Sequence, residues 1–253
     1  MSDYDRGFPR SVPAGAADMA VDAGLRGFML GVYNKVALGL VLSAALAFLT
    51  SSFPPVRDLF FVTDGASRLV AITPLGAAMR WAPLIVILIA TFGMRNPSPR
   101  AASALYWVLV SLIGASLGVF VLAFTGATLG TTFLVTATAF GGLSLVGYTT
   151  KKDLSGLGSF MIVGLIGIFL AMLVNMFLHS AMIQFMVSVI GVLVFAGLIA
   201  WDTQKLKMTY YALGGNQAAM SVATSYGALR LYLDFINLFQ FLLMLFGGGG
   251  NRR

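Results

Sequence analysis

The sequence contains no cysteine and no glutamate, only one histidine and few charged residues of any kind. Without cysteine the chain has no disulfide, no thiol nucleophile and no thiolate ligand for zinc or an iron–sulfur cluster. The single histidine, His179, excludes a multi-histidine metal site within one chain. Charged residues make up 10% of the 253 positions, against about 25% in soluble domains. These absences argue against an ordinary soluble enzyme and against a disordered chain.

Apolar residues dominate instead, at 58% of the chain, with 20 Phe and 13 Met. The mean hydropathy of +0.90 fits a protein embedded in lipid. The net charge of +7 is spread over the ends of apolar segments, in basic runs no longer than the pair Lys151 and Lys152. Such a distribution is typical of basic loops between membrane helices and not of a nucleic-acid groove. We therefore predict contact with a lipid bilayer and no nucleic-acid partner.

A membrane-spanning helix needs roughly 20 mostly apolar residues. Seven segments approach that length: 28–52, 77–94, 102–125, 131–148, 159–178, 183–201 and 222–246. The second is the least regular, because Arg80 and Pro83 interrupt its start, and we place Pro83 within the first helical turn, where proline is tolerated. The sequence thus predicts an all-α integral membrane protein with seven transmembrane helices.

Three regions follow from this pattern. Residues 1–26 are polar and lack the features of a cleaved signal peptide, so we expect a cytosolic tail without ordered structure, and a candidate handle for a protein partner. Residues 27–246 form the seven-helix transmembrane domain. Residues 247–253 begin with four glycines and predict a flexible C-terminal end.

The distribution of Lys and Arg sets the predicted orientation. A cytosolic N-terminus with seven crossings puts eleven basic residues inside and five outside, which the positive-inside rule favours. The C-terminus is then external. Most connections are short and marked by Pro and Gly, so we expect sequential helices to pack as antiparallel neighbours; the last connection is predicted at 205–217. Gly114 and Gly118, four residues apart, should allow close approach of another helix.

Two aspartates occupy positions where a charge facing lipid would be costly. Asp202 follows the apolar run 185–201 at the predicted end of helix six, and Asp234 lies inside the last segment. A charge within a membrane helix is by default a candidate functional residue. In the predicted orientation both aspartates lie toward the cytosolic side, where Arg95 ends helix two. The sequence therefore predicts that Asp202, Asp234 and Arg95 converge.

Two carboxyl groups in one site of low dielectric constant cannot both ionise cheaply, so they tend to share one proton. We expect a latch in which the protonated pair holds helices six and seven together. Deprotonated, the two carboxylates repel each other and accept a cation or Arg95 instead. The negative end of the helix-six dipole should also disfavour ionised Asp202. Oxygen ligands of this kind suit a hard cation such as calcium, which Asp202 and Asp234 would ligate.

A purely structural interpretation of these residues stays open. Arg230 stands four residues before Asp234 and could pair with it along one helix face. Asp202, with polar residues after it, could mark a solvated helix end. Asn175 and Asn237 are further candidates for the pore or its support, and Asn237 shares the face of Asp234. For both asparagines, hydrogen bonds between helices are the favoured interpretation.

Two polar connections have alternatives of their own. His179 lies in a short external turn, where a solvated turn residue is favoured over a proton relay. Lys151, Lys152 and Asp153 connect helices four and five. This segment is typical of a solvated loop that sets topology, and the alternative is contact with anionic lipid or a partner.

Three stretches resemble the signature stretches of the Bax-inhibitor-type membrane family: 147–155 (GYTTKKDLS), 195–205 (FAGLIAWDTQK) and 228–239 (ALRLYLDFINLF). Residues 31–34 (GVYN) are similar to the opening of its bacterial inner-membrane branch. The resemblance runs from about residue 27 to 246, which is nearly the whole chain.

The resemblance implies a seven-helix fold in the bacterial inner membrane, with the last helix central and wrapped by the other six. It implies a pH-sensitive calcium leak whose sensing pair falls on Asp202 and Asp234, with Arg95 as the arginine that engages the helix-six aspartate. Some members carry a glutamate within helix two, and Leu84 stands at that approximate position here. This departure bears on the calcium path. Other bacterial members modulate a membrane-bound ATP-dependent protease.

The leading hypothesis is a pH-sensitive calcium leak channel, with calcium as cargo and no cofactor. The alternative is an integral-membrane regulator of a membrane-bound ATP-dependent protease, and a more remote one is a proton/calcium exchanger. The sequence has no GxxxxGK[ST] phosphate-binding motif, which argues against active pumping. Intramembrane aspartyl proteases also use two aspartates, but they carry Gly-x-Gly-Asp where residues 231–234 read LYLD. We therefore do not expect an enzyme.

Overall fold

The computed structural model describes the backbone of residues 14–64, 68–94 and 96–247, and the side chains of that set from residue 23 onward. Within those ranges the chain forms nine helices and one two-stranded antiparallel sheet. The helices are α1 (Ala14–Ser52), α2 (Pro54–Phe60), α3 (Pro74–Gly93), α4 (Pro99–Ser116), α5 (Gly118–Ala123), α6 (Gly126–Thr149), α7 (Ser155–Leu178), α8 (Ala181–Ala212) and α9 (Gln217–Gly247). Strands β1 (Phe61–Thr63) and β2 (Leu69–Ile72) form a hairpin between α2 and α3.

Seven helical segments are long and apolar enough to cross a membrane, which confirms the predicted all-α membrane fold. They are Ala23–Ser52, Pro74–Gly93, Pro99–Ala123, Gly126–Thr149, Ser155–Leu178, Ala181–Ala212 and Gln217–Gly247. The third span consists of α4 and α5, which meet at Leu117. Each span overlaps one of the seven segments chosen from the sequence.

The sixth span is longer than the sequence indicated. Helix α8 ends at Ala212, eleven residues beyond the predicted end at Trp201. No proline or glycine interrupts residues 202–212, and the helix stops only before Gly214 and Gly215, which both have positive φ angles. The predicted connection at 205–217 was therefore wrong for most of its length.

The second span also begins earlier than predicted. Helix α3 starts at Pro74, and the Thr73 hydroxyl accepts a hydrogen bond from the Gly76 amide at 3.1 Å. This is a regular helix start, because proline suits the first turn and threonine caps it. Pro83 consequently lies in the helix interior, so its predicted place in the first turn was wrong.

Packing between sequential spans follows the prediction only in part. Helices α3 and α4, α7 and α8, and α8 and α9 pack extensively as expected. Helix α1, however, packs extensively on α4 and not on α3, and α6 packs extensively on α8 and not on α7, so the general expectation was wrong. A side chain at Gly114 would collide with the backbone of Ser43, which confirms a close approach of α4 to α1.

The last helix carries much of the core. Its buried residues include Leu231, Tyr232, Leu238 and Leu243. Helix α9 packs extensively on α1, α4, α6 and α8. Helices α3 and α7 are not among those partners, and wrapping of the last helix by all six others stays a prediction.

The predicted region boundaries differ from the helix ends. Helix α1 begins at Ala14, so the second half of the segment predicted as a tail, 1–26, is helical. The first part of that tail and the predicted glycine-rich end from residue 248 lie outside the described residues.

Candidate functional site: a buried aspartate pair

The structure brings Asp202 of α8 and Asp234 of α9 together. Their exposed fractions are only 4% and 5%. The two carboxyl groups lie close enough to interact with each other. Helices α8 and α9 pack along much of their length, which places the pair between two spans and away from lipid. Of the three residues predicted to converge, the structure thus brings these two aspartates together.

Arg230 forms an ion pair with Asp202 across the two helices. The distance from its Nη1 to Asp202 Oδ1 is 3.2 Å. The Arg230 side chain is 49% exposed, whereas that of Asp202 is 5% exposed, so the pair joins a half-exposed cation to a buried anion. The interhelical bond differs from the local pairing of Arg230 with Asp234 that the sequence left open.

Asp202 is not a solvated helix end, and that interpretation was wrong. Ten residues of α8 follow it, and its side chain is buried. The expected influence of the helix-six dipole fails for the same reason, since the dipole effect is confined to the last turn of a helix. The electrostatic environment of this carboxyl group is therefore set by its burial and by Arg230.

Asp234 holds a buried oxygen that no donor reaches. Within the described residues Oδ2 of Asp234 has no hydrogen-bond partner. If both carboxyl groups were ionised, they could exchange no hydrogen bond and would repel each other in a poorly hydrated site. One proton between them supplies a donor. One shared proton would therefore relieve both the missing donor and the repulsion.

The other predicted site residues separate into three cases. Arg95 lies outside the described residues. Asn237 donates from Nδ2 to the Leu233 carbonyl at 2.8 Å, one turn along its own helix. Asn175 Oδ1 accepts from the Ser180 amide at 2.9 Å, in the turn between α7 and α8. The expected interhelical bonds of the two asparagines were therefore wrong.

Asn175 is also far from the aspartate pair. It caps the end of α7 next to the start of α8, whereas Asp202 lies 21 residues after Ala181. At 1.5 Å per residue this separation is about 30 Å along the helix. Asn237 remains the one of the two asparagines that lies beside the pair, one turn from Asp234 on α9.

Sequence reasoning missed Gln204, which fixes a loop against α8. Its Nε2 donates to the Lys152 carbonyl at 2.7 Å, and its Oε1 accepts from the Leu154 amide at 2.8 Å. Gln204 is 7% exposed. Polar residues directly after Asp202 were the available sign of such contacts. They were interpreted from the sequence as a solvated helix end, whereas the helix continues through them.

The loop between α6 and α7 has its backbone held by hydrogen bonds to Gln204, while its charged side chains are exposed. Lys151, Lys152 and Asp153 are exposed, as expected for a solvated connection. The Asp153 carboxylate accepts a hydrogen bond from the Ser155 amide at 2.8 Å. Hydrogen bonds from the side chain and backbone of Ser155 lower the pKa of Asp153. Gln204 thus anchors a loop whose charges remain available.

A second polar cluster, also missed, joins α1, α4 and α9. The Lys35 ammonium donates to Ser225 Oγ at 2.7 Å and to Ser103 Oγ at 3.1 Å. Two turns of α9 closer to Asp234, the hydroxyls of Ser43 and Tyr232 are hydrogen-bonded at 2.6 Å. Each group is polar within an apolar segment, and its partner lies on a distant segment. No local pattern in the sequence indicates such pairs.

His179 is the turn residue that the sequence favoured. It is exposed, ends α7 and adopts a left-handed conformation with φ of 50°.

Across the described part of the chain, no group of three or more His, Asp, Cys or Glu side chains could hold a metal. Two carboxylates fall short of the six to eight oxygen ligands of a resident calcium ion.

Seven apolar spans around a buried acid pair define a multi-pass integral membrane protein. The chain belongs to the Bax inhibitor-type family: the family described as "Inhibitor of apoptosis-promoting Bax1" matches residues 25–252. The chain is 63% identical to an uncharacterized protein of Caulobacter vibrioides, covering 98% of this chain and 99% of the relative. It is 39% identical to the inner membrane protein YbhL of Escherichia coli, covering 91% and 94%. These likenesses confirm the predicted family.

Proposed function

We propose that the protein is a passive, pH-sensitive calcium leak channel of the bacterial inner membrane, gated by Asp202 and Asp234. The observation that carries the proposal is the buried contact between the two carboxyl groups, each from a different spanning helix. Buried acid pairs within membrane spans are costly and commonly mark ion or proton pathways. Calcium is the cargo, and no cofactor takes part.

Gating follows from the proton shared by the pair. With one proton bound, the carboxyl–carboxyl hydrogen bond joins α8 to α9. As pH rises the proton leaves, and two negative charges remain in contact where water cannot screen them. The pathway is therefore closed at low pH and open at high pH.

Arg230 takes the role of counter-charge that the sequence assigned to Arg95. Its guanidinium already contacts Asp202, while half of its side chain is exposed. A long arginine side chain can move between a buried partner and water without exposing its apolar stem. In the open state, Arg230 leaves and an incoming cation contacts both carboxylates and completes its shell with water. Asn237, one turn from Asp234, adds an amide oxygen near this path.

We also propose that this acid pair performs no hydrolysis. Asp234 is flanked by Leu233 and Phe235, and Phe235 is 2% exposed. An aspartyl protease needs room beside its acids for a peptide backbone and a water molecule. The bulky neighbours and the burial of both carboxyl groups leave little such room.

The test is calcium entry into proteoliposomes, followed with an enclosed dye from about pH 5.5 to about 8.5, the range over which a shared carboxyl proton is lost. Wild-type flux should rise with pH. Asp234→Asn and Asp202→Asn should remove that dependence, because an amide carries no titrating proton. Asp153→Asn is the matched control: Asp153 is exposed, and its lowered pKa keeps it ionised throughout.

Other outcomes would redirect the proposal. No flux at any pH, with all variants folded, would overturn the channel and favour the regulator of a membrane-bound ATP-dependent protease, with residues 1–26 as the handle to delete. Calcium entry that drives equal proton exit, measured with an enclosed pH dye, would replace the channel by a proton/calcium exchanger.

A further inference from the structure

A groove of about 450 Å³ runs between α1 and α6. This volume lies in the range of small-molecule sites, about 300–1,000 Å³. Helices α1 and α6 are not among the pairs that pack extensively, and the groove fills the space between them. Its lining includes Met29 and Tyr33 of α1 with Phe140, Gly141 and Ser144 of α6.

The groove has an aromatic pair at one end and exposed apolar side chains along its side. Tyr33 and Phe140, which line one end, meet edge to face with ring centroids 6.4 Å apart. Leu30 and Leu145, which also line it, are 51% and 62% exposed. These exposed apolar side chains face the surroundings of the spans, so the groove opens sideways toward the acyl chains of the bilayer.

The opposite end of the groove is basic. Arg26 and Tyr148 line it together, seven and eight residues from the Tyr33–Phe140 contact. Lys207 of α8 donates to the Tyr148 carbonyl at 3.2 Å, and its ammonium lies 5.7 Å from the centre of the Tyr148 ring. Among the described side chains, neither basic residue has an ion-pair partner. Two positive charges therefore flank the mouth of an apolar groove.

Ser144 gives an independent sign of a missing partner. It lines the groove midway between Phe140 and Tyr148 and is 5% exposed. Its hydroxyl has no hydrogen-bond partner in the part of the chain that the structure describes. A buried hydroxyl without a partner is uncommon, because leaving it unpaired costs about 1–3 kcal/mol. Rotation of the Ser144 side chain toward the groove would let an acceptor of a bound molecule satisfy it.

We propose that this groove binds one anionic glycerophospholipid. The phosphate lies at the mouth with Arg26 and Lys207, an ester carbonyl accepts from Ser144, and an acyl chain follows the apolar floor to Tyr33 and Phe140. From Arg26 to Tyr33 the floor is about 10 Å long at 1.5 Å per residue. Basic pockets between membrane helices are known to suit anionic headgroups.

The charge of the mouth and the sideways opening together favour a lipid over a soluble ligand. A soluble molecule would have to cross exposed leucines that face hydrocarbon, whereas a lipid enters from the bilayer itself. The binding site shares no residue with the aspartate pair. It therefore stands whether or not the protein conducts calcium.

The test uses the full chain, stripped of lipid in detergent and titrated with phosphatidylglycerol or phosphatidylcholine under native mass spectrometry. Wild type should retain one phosphatidylglycerol at least tenfold more tightly than further copies, and prefer it to phosphatidylcholine. Gly141→Leu should abolish the tight copy, because a side chain there points into open groove space. Gly142→Leu is the matched control on the same helix, also in open space but outside the lining.

Arg26→Gln should remove the preference for phosphatidylglycerol while acyl-chain binding persists. Phosphatidylglycerol with a photoreactive acyl chain, applied to wild type alone, should label peptides around residues 29–33 and 140–145. Equal lipid retention by Gly141→Leu and Gly142→Leu, or labelling spread evenly over the spans, would overturn the proposal. Displacement of the tight copy by glycerol phosphate alone would also overturn it, since the site would then be a plain anion site.

Discussion

Arg230 and Asp202 form an ion pair between the last two helices, with 3.2 Å between Nη1 and Oδ1. Only the arginine is exposed at the surface of the molecule: its side chain is 49% exposed, and the carboxylate is buried. A second carboxyl group, that of Asp234, also contacts Asp202. Asp202 thus interacts with a half-exposed cation on one side and with a second buried acid on the other.

Arg230→Gln should move the pH midpoint of calcium flux upward by about one pH unit. The positive charge stabilises ionised Asp202, so without it a higher pH is needed to remove the shared proton. Arg230→Lys keeps the charge and should stay close to wild type. The measurement is the flux titration in proteoliposomes. Identical midpoints for the glutamine and lysine variants would show that Arg230 is no counter-charge.

Gln204→Leu should lower the free energy of unfolding by about 1–3 kcal/mol, because the Leu154 amide and the Lys152 carbonyl both lose their partner. Thermal unfolding in detergent measures the loss. Gln184→Leu is the control, since Gln184 is exposed and its side chain contacts only the Met244 sulfur, at 3.7 Å. Equal stability of the two variants would mean that the clamp contributes nothing.

Gly147→Ala should destabilise the fold by about 1–3 kcal/mol through steric overlap. A methyl group there would collide with the carbonyl of Ala200, which is backbone and cannot rotate away. Helix α6 would have to move off α8. Gly142→Ala, five residues earlier and facing open space, should equal or slightly exceed wild type in detergent melts. A stable Gly147→Ala protein would contradict the close approach.

Ser43→Ala and Tyr232→Phe should be strongly coupled. Each single change leaves the other hydroxyl of the 2.6 Å pair buried and without its partner, whereas the double change removes both. A double-mutant cycle on unfolding free energies should give a coupling of about 1 kcal/mol. Purely additive losses would show that the hydroxyl pair does not link α1 to α9.

The number of spans and the membrane class could be predicted because each rests on local composition. A run of apolar residues is long enough or it is not, and all seven runs became spanning helices. The two aspartates could also be predicted as candidate site residues, since a charge inside an apolar run stands out in the sequence alone.

Helix ends and partners were less predictable. Residues 202–212 are mostly polar, and hydropathy alone cannot tell a helix that extends beyond the apolar run from a loop. Which helices pack together depends on small residues meeting backbone, as at Gly147 and Ala200, and that match involves two distant segments. The same holds for Arg230, whose partner lies 28 residues away and not on its own turn.

Because α8 continues beyond Asp202, one continuous helix connects the aspartate pair to three other parts of the molecule. After Asp202, the helix carries Gln204, which bonds to the α6–α7 loop, and Lys207, which lies beside the groove. Tyr210 follows, and its ring lies 5.7 Å from that of Phe28 on α1. A helix turns as one body. Any rotation that separates the two carboxyl groups therefore also pulls on the loop, on the basic mouth of the groove and on the start of α1.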